Sequence, residues 1–267
     1  MGERSLSGAL VGSLATAAFV ATIPPLAHAG EAIVDLTHPF DGDTIYWPTE
    51  TGFVLQRGTA GFTERGYFYA ANRFSAPEHG GTHLDAPFHF AQEGQTVEQT
   101  PLERLVGPGA CVDVSGRCAA DRDYQVTVED LLAWERENDA SLEGKIVLLR
   151  TGYASHWPDR EKYLGTSQTG RAAVDLLRFP GLHPSAADWL ATKRQIEAVG
   201  IDTASIDYGR SADFQSHVNL FKRNVPALEN VASLAGLPPA GFRVVALPMK
   251  IAGGSGAPCR IIAILEE

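Results

Sequence analysis

The stretch from His79 to Phe90 constrains the fold and the chemistry of this chain more than any other part of it. It reads His-Gly-Gly-Thr-His-Leu-Asp-Ala-Pro-Phe-His-Phe and holds three of the eight histidines together with one aspartate. If residues 82–90 are extended, side chains alternate between faces, so His83, Asp85 and His89 share one side. The apolar side chains on the other side can then pack into a core, and the polar side lines a cavity.

The glycines and the proline of this stretch oppose a helix. The pair Gly80-Gly81 suits a tight turn that folds His79 back beside His83. Pro87 cannot donate to a strand ladder, which predicts an edge strand or a bulged one. Imidazole nitrogens and a carboxylate at such spacing suit zinc or manganese. The stretch therefore predicts a metal site, in preference to the alternative of surface or hydrogen-bonded core histidines.

The composition is that of an ordinary globular protein. The chain has 267 residues, of which 44% are hydrophobic, and its formal net charge is -10. Disorder and coiled coil do not fit this composition, and the acidic balance provides no basic patch for nucleic acid. We therefore expect a small-molecule substrate and no nucleic-acid partner.

The first 29 residues have the pattern of an export signal. An apolar run from Ala9 to Ala21 precedes Ala27-His28-Ala29, which fits a small-x-small cleavage site. An uncleaved membrane anchor needs about 20 apolar residues, and Pro24-Pro25 interrupts this run before that length. We expect a signal peptide at 1–29, a single domain at 30–267, and an exported protein, periplasmic or extracellular, with no membrane contact once the signal is removed.

Alternating strand and helix patterns fill the rest of the chain and favour one α/β domain. A helix is predicted after Thr127, where Asp130 completes a capping box, and a second over about 185–195 with Asp188 at the capping position. Gly253–Pro258 is predicted as a connector between the last two strands. The predicted strands cover 32–36, 109–114, 145–150, 198–202, 243–247 and 261–265.

Three cysteines, Cys111, Cys118 and Cys259, lie outside any metal-ligand spacing. In an oxidising compartment Cys111 and Cys118 could form a disulfide and leave Cys259 free, and simple burial of all three fits the sequence equally well.

Four further side chains are possible metal ligands outside the histidine stretch. Asp202 and Asp207 could contact metal, although such residues more often satisfy buried loop backbones. His217 and Glu229 lie twelve residues apart, a separation of roughly 18 Å on one helix. They can share a metal only if the chain bends between them, and Pro226 is a plausible breaker.

The pattern His79-x-Gly-Thr-His-x-Asp-x-Pro-x-His89 resembles the signature of the cyclase family, which includes bacterial kynurenine formamidases and isatin hydrolases. The resemblance covers nearly the whole mature chain, through Asp35–Thr37, Gly200–Asp207, Pro226–Asn230 and Gly254–Arg260. It implies a swivelling β/β/α fold, with mixed sheets and a few flanking helices. It also implies hydrolysis of amide or lactam bonds and, commonly, a homodimer.

The resemblance also implies a role for each residue that matches the motif. It makes three side chains ligands of a first metal ion, adds two in the formamidase branch for a second ion, and assigns proton transfer and substrate contact to two others. Trp47 by itself fits local packing as well as recognition. The implied sets are His79, His83 and Asp85 for the first ion, His217 and Glu229 for the second with Asp85 and Glu229 bridging, His89 for the proton and Trp47 for the substrate.

These features predict a metal-dependent amide hydrolase that uses one or two zinc or manganese ions. Metal-activated water would attack the carbonyl carbon while His89 moves the proton, and no Gly-x-Ser-x-Gly elbow supports a serine hydrolase. Export, an insertion around Trp157 and the Gly-Ser-Gly-Ala-Pro motif resemble the isatin hydrolases, which act on a cyclic amide. Glu229 favours the alternative, a kynurenine formamidase acting on N-formylkynurenine. A secreted metal-binding protein without catalysis is the alternative from another class.

Overall fold

The computed structural model describes residues 1–2 and 32–266. The predicted signal peptide at 1–29 therefore lies outside the described residues, apart from its first two. Within the described part of the chain, no helix is both long enough and apolar enough to cross a membrane.

The strands and helices alternate along the chain, as the sequence predicts for an α/β domain. Short 3-10 helices occur at Pro87–His89, Val97–Gln99, Leu102–Arg104, Tyr153–His156 and Leu234–Gly236. The α-helices are α1 (Ser115–Ala120), α2 (Val128–Asn138), α3 (Arg160–Leu164), α4 (Arg171–Val174), α5 (Pro184–Lys193) and α6 (Gln215–Phe221). The strands are β1 (Ile33–Asp35), β2 (Val54–Gln56), β3 (Ala60–Phe62), β4 (Phe68–Ala70), β5 (Arg73–Ser75), β6 (His83–Asp85), β7 (Val106–Asp113), β8 (Gln125–Val126), β9 (Ile146–Arg150), β10 (Gly181–Leu182), β11 (Ala198–Ile201), β12 (Ala227–Glu229), β13 (Phe242–Pro248) and β14 (Gly256–Leu265).

The main sheet has the strand order β1-β14-β13-β7-β9-β11-β12-β6. β7, β9, β11 and β12 are parallel to their neighbours in this run, whereas β13, β14 and β6 pair antiparallel. The start of β14 also pairs with β6. This extra pairing closes seven of the strands into a barrel-like mixed sheet.

The two faces of this sheet bury two separate hydrophobic clusters. β9 shows the division, because Ile146 and Leu148 belong to one cluster while Val147 and Leu149 belong to the other. All four side chains are fully buried, as expected for a parallel strand covered on both faces. Burying such side chains contributes about 1.5–3 kcal/mol each.

Several predicted elements are confirmed. Strands occur at each predicted position, and α2 begins after Thr127 with the predicted capping box. The Asp130 amide donates to Thr127 Oγ1 over 3.3 Å, and the Thr127 amide donates to Asp130 Oδ2 over 2.8 Å. The second predicted helix is α5, but its N-cap is His183 rather than Asp188, which lies inside the helix.

The prediction of an extended segment over 82–90 is wrong after Asp85. β6 contains only His83–Asp85, and Pro87 begins a 3-10 helix, where the fixed φ of proline is favourable and its missing N–H costs nothing. The edge position is also wrong, because β6 pairs with β12 on one side and with β14 on the other.

The structure also decides the predictions for the Gly253–Pro258 connector and for the three cysteines. Gly256–Pro258, predicted as part of a connector, already belongs to β14, because these residues pair with β6. Cys111, Cys118 and Cys259 are all free and buried, so the structure favours simple burial over a disulfide.

Candidate active site

The glycine pair forms the turn that places His79 beside β6. Gly81 has φ +57° and Gly80 has φ +151°, conformations that favour glycine. A Cβ on Gly80 would lie 2.0 Å from Tyr46 Cδ1, and a Cβ on Gly81 would lie 2.5 Å from Phe40 Cε1. The backbone therefore packs against two aromatic rings, and this turn needs glycine at both positions.

Asp85 is the centre of the first group of site residues. Its Oδ1 lies 2.6 Å from His79 Nδ1 and 3.0 Å from His83 Nε2. The other nitrogen of His83, Nδ1, donates to the Gly81 carbonyl over 2.9 Å. His83 Nε2 is buried and faces the carboxylates of Asp85 and Glu229. The turn and the strand thus bring together the three residues predicted to hold the first metal.

His217 and Glu229 reach the same place from α6 and β12. His217 Nε2 lies 3.2 Å from Asp85 Oδ2 and 3.1 Å from Glu229 Oε1. The β6–β12 register sets Glu229 directly opposite His83, and their side-chain atoms approach to 3.6 Å. The predicted bend between His217 and Glu229 is present, although α6 ends at Phe221, well before Pro226.

The sequence did not assign Asp207 its place in this site. Its Oδ2 lies 2.6 Å from His217 Nδ1, and its carboxylate accepts hydrogen bonds from the backbone amides of Ser216 and His217. Asp202 instead accepts from Thr151 and from the Gly152 amide. Asp202 therefore satisfies a buried loop, as such residues usually do, whereas Asp207 orients a site histidine.

The electrostatics of the site follow from burying acids and imidazoles together. Burial opposes the charge on His83, but Asp85 and Glu229 outweigh it and raise the pKa of His83 to about 9. The pKa of His217 is also raised, because Asp207, Asp85 and Glu229 outweigh its burial. Although burial opposes the shift, His79 and His83 hold the pKa of Asp85 well below its usual range. In Glu229, burial and the Asp85 charge raise the pKa.

His89 is the least buried of the predicted site residues. Its ring stacks on that of His79, with centroids 3.8 Å apart and planes 19° apart. Partial burial lowers the pKa of His89 to about 4, so its imidazole is neutral at pH 7. A ligand atom of His89 also lies within 4.8 Å of ligand atoms of His79 and Asp85. The neutral imidazole of His89 therefore lies beside Asp85, the carboxylate that His79, His83 and His217 surround.

All seven predicted site residues line one cavity of about 360 Å³. Trp47 lies in its wall beside Phe214, with ring centroids 6.3 Å apart. Phe90 stacks on His217 at 4.7 Å and packs near Phe214 at 5.3 Å. Sequence reasoning missed Phe90 and Phe214 as wall residues, because no local pattern separates them from ordinary core aromatics. The cavity combines an aromatic wall with a floor of imidazoles and carboxylates.

This donor set fits a divalent metal ion. Two groups of ligand atoms, each within 4.8 Å of one another, could hold an ion among the described residues: one in His83, Asp85 and Glu229, the other in His79, Asp85 and His89. Imidazole nitrogens and carboxylate oxygens are the ligands of zinc and manganese sites.

Comparison with known proteins shows the family of this chain. The Cyclase family model matches residues 34–208. The chain belongs to the cyclase family. The match contains the histidine motif and the Gly200–Asp207 segment, and it confirms the resemblance seen in the sequence.

Two relatives in the cyclase family align with most of this chain. An isatin hydrolase from Roseibium aggregatum is 31% identical over 211 residues, which are 76% of this chain and 77% of the relative. A kynurenine formamidase from Bacillus cereus is 29% identical over 233 residues, which are 86% of this chain and 95% of the relative.

A solved cyclase-family structure shows the same architecture. Isatin hydrolase A from Labrenzia aggregata, solved with bound benzyl benzoate, superposes with a TM-score of 0.80 at 32% identity. The superposition covers 91% of this chain and 96% of that protein. The predicted fold, with mixed sheets and a few flanking helices, is confirmed.

Proposed function

We propose that this protein is a metal-dependent hydrolase of cyclic or aryl amides, with activity like that of the isatin hydrolases. One observation carries the proposal: Asp85 lies among His79, His83 and His217 at the floor of an aromatic-walled cavity, with the neutral His89 beside them. The Roseibium aggregatum relative and the solved Labrenzia aggregata structure support an isatin-like substrate class.

His79, His83 and Asp85 are the proposed ligands of a first zinc or manganese ion, and His217 and Glu229 complete the site for one ion or two. The buried Nε2 of His83 supports this, because it lies 3.0 Å from Asp85 Oδ1 and 3.6 Å from Glu229 Oε2, so one imidazole nitrogen and two carboxylates converge. Asp85 belongs to both groups of ligand atoms, so its carboxylate could bridge two metal ions.

When bound, a divalent ion lowers the pKa of a coordinated water from about 15.7 toward 7 and polarises the substrate carbonyl. Burial lowers the pKa of His89 to about 4, so at pH 7 its imidazole is neutral and has a lone pair that would accept the proton of the attacking water. It then returns this proton to the amide nitrogen, which is a poor leaving group until protonated. Such proton transfer typically contributes about 10²–10⁴-fold to the rate.

The cavity wall favours a flat aromatic substrate. Trp47, Phe90 and Phe214 offer ring faces and edges on one side of the cavity. A volume of about 360 Å³ is at the lower end of the usual range for small-molecule sites. An aryl-fused lactam presents a flat ring to this wall and its carbonyl to the polar floor.

A kynurenine formamidase is the second candidate. His217 and Glu229 have the spacing that the formamidase branch uses, and both lie in the site. The Bacillus cereus relative also supports this alternative. The two candidates share their ligands and the proton-transfer residue, so they differ in the substrate and not in the chemistry.

The test is hydrolysis of isatin and of N-formylkynurenine, measured side by side with zinc and with manganese. We expect His83→Ala to lose metal and activity together, and His89→Gln to keep metal but lose turnover. His156→Gln, outside the cavity lining, is the matched control and should behave like the wild type.

Full turnover by His89→Gln on a confirmed substrate would overturn the proton-transfer role. Metal binding without turnover of any amide, lactam or ester would instead favour a secreted metal-binding protein without catalysis.

We also propose that the protein is a homodimer. The segment 54–75, which we name the aromatic arm, forms the ladders β2–β5 and β3–β4 and exposes large apolar side chains. Phe62 is 81% exposed and Phe68 is 60% exposed. Such a patch is typical of a protein interface. The exposed apolar residues of the arm are Val54, Leu55, Phe62, Tyr67, Phe68, Tyr69 and Phe74.

Export is a further proposal, supported by the apolar run and the Ala27-His28-Ala29 pattern. N-terminal sequencing of protein recovered from the periplasm or the medium should find a chain that begins near Gly30. A chain that keeps residues 1–29 there would contradict cleavage at this position.

A further inference from the structure

Ser255, just before β14, joins two residues of the turn that leads into the metal site. Its hydroxyl Oγ lies 2.8 Å from His79 Nε2 and donates to Glu78 Oε2 over 2.7 Å. Its backbone amide donates to the same carboxylate over 3.0 Å, and its carbonyl accepts from the Ala86 amide over 2.9 Å. Ser255 is therefore held at both its backbone and its side chain.

The hydrogen-bonding capacities of these groups determine where the protons lie. A carboxylate only accepts hydrogen bonds, so the single hydroxyl proton of Ser255 goes to Glu78. The Ser255 oxygen then accepts from His79, which requires a proton on His79 Nε2. In the neutral imidazole that a metal ion requires, the lone pair is consequently on Nδ1. Without an ion, the 2.6 Å contact between Nδ1 and Asp85 Oδ1 needs a proton on Nδ1, which the metal would replace.

The other two imidazoles around Asp85 have the opposite arrangement. His83 uses Nδ1 to donate to the Gly81 carbonyl, and His217 has Nδ1 against the Asp207 carboxylate at 2.6 Å. Both therefore present Nε2 to the carboxylates. His79 alone of the three presents Nδ1, and its Nε2 is the nitrogen that Ser255 holds.

Close packing reinforces this orientation. A Cβ on Gly256 would lie 2.6 Å from His79 Cε1 and 2.7 Å from the Leu84 carbonyl oxygen. The imidazole thus lies directly against the backbone at the start of β14. This contact keeps the His79 ring within hydrogen-bonding distance of the Ser255 hydroxyl.

We propose that Glu78 and Ser255 are positioning residues that hold His79 in the tautomer with Nδ1 free to bind the metal. This inference rests on the proposed metal-dependent function. Partners that orient a metal-bound histidine typically change metal affinity by about 10–100-fold when they are removed.

The test uses Ser255→Ala, Ser255→Thr and Glu78→Gln in the full-length protein, with zinc and manganese affinity measured by titration calorimetry. We expect Ser255→Ala to weaken metal binding about 10–100-fold, whereas Ser255→Thr keeps the hydroxyl and restores most of the affinity. The metal affinity of Glu78→Gln should lie between those of Ser255→Ala and Ser255→Thr, because the amide oxygen of the glutamine still accepts one hydrogen bond. Nitrogen NMR of the zinc-bound protein should find the His79 proton on Nε2 in the wild type, with a mixture of tautomers in Ser255→Ala.

Ser185→Ala is the matched control, because Ser185 Oγ contacts His183 Nδ1 over the same 2.8 Å but outside the cavity lining. It should leave metal affinity unchanged. Wild-type affinity in Ser255→Ala, or a proton on His79 Nδ1 in the zinc-bound wild type, would overturn the proposal. If His83→Ala loses metal while Ser255→Ala keeps it, the positioning role alone fails. If His83→Ala keeps metal, the proposed function fails with it.

Discussion

Asp202 and Asp207 are two buried aspartates of one loop segment with different partners. Asp202 accepts from Thr151 and Gly152, whereas Asp207 contacts the imidazole of His217. The local sequence treats them alike, because both alternate with small or apolar residues. The two aspartates differ only in the neighbours that the fold brings to each carboxylate. Asp202 accepts hydrogen bonds from a buried loop, and Asp207 orients a histidine of the site.

Asp207→Asn should weaken metal binding about 10–100-fold, because the amide cannot hold His217 Nδ1 and both backbone amides as a carboxylate does. Titration calorimetry measures the affinity. Asp202→Asn is the control, since it should lower the free energy of unfolding by about 1–3 kcal/mol and leave metal affinity intact. Equal metal affinities in the two variants would contradict a distinct role for Asp207.

Metal affinity should rise with pH through the neutral range. The pKa of His83, raised to about 9, means that this imidazole is cationic at pH 7 without an ion, and the pKa of His217 is raised as well. A metal ion must displace these protons, so affinity increases about tenfold per pH unit for each proton released. Calorimetry in buffers of different ionisation enthalpy counts the protons, and zero release at pH 7 would refute this assignment.

Among the elements, those with a strong local pattern were predicted and those set by distant partners were not. The capping box of α2 and the buried run of β9 depend on residues close in sequence, and both are confirmed. β6 was predicted too long and at an edge. Its length and neighbours depend on β12 and β14, which are remote in the chain and whose pairing no local pattern shows.

The Gly80-Gly81 turn gives a prediction at this scale. Gly80→Ala should lower the free energy of unfolding by about 1–3 kcal/mol, because φ is +151° and the new Cβ would lie 2.0 Å from Tyr46 Cδ1. Gly116→Ala in α1, where nothing lies within 4 Å, should be neutral or stabilising by about 0.5–1 kcal/mol. Urea denaturation compares them, and an unchanged stability in Gly80→Ala would show that the turn can relax.

For the whole molecule, the aromatic arm is the surface that supports the proposed homodimer. The arm carries Arg57, Arg65 and Arg73 against one acid, Glu64, in a chain of net charge -10. An arm that is locally basic and apolar therefore complements the acidic remainder of a second copy. This favours contact between two copies over a solvent-exposed arm.

A double substitution, Phe62→Glu with Phe68→Glu, should convert the dimer to a monomer in light scattering after size-exclusion chromatography. The added carboxylates would place charge within the apolar patch. Leu176→Glu, at an exposed leucine outside the arm, is the control and should remain dimeric. A wild-type protein that is monomeric at micromolar concentration would contradict the homodimer.

The sequence by itself determined the fold class and identified the side chains that meet in the cavity. It could do so because the histidine motif is contiguous, its spacing is set by local backbone geometry, and its resemblance extends over most of the chain. Tertiary structure alone decided that β6 lies between β12 and β14, that Glu229 faces His83, and that Asp207 and Ser255 contact the rings of His217 and His79. These contacts join residues far apart in the chain, so they depend on strand register and close packing.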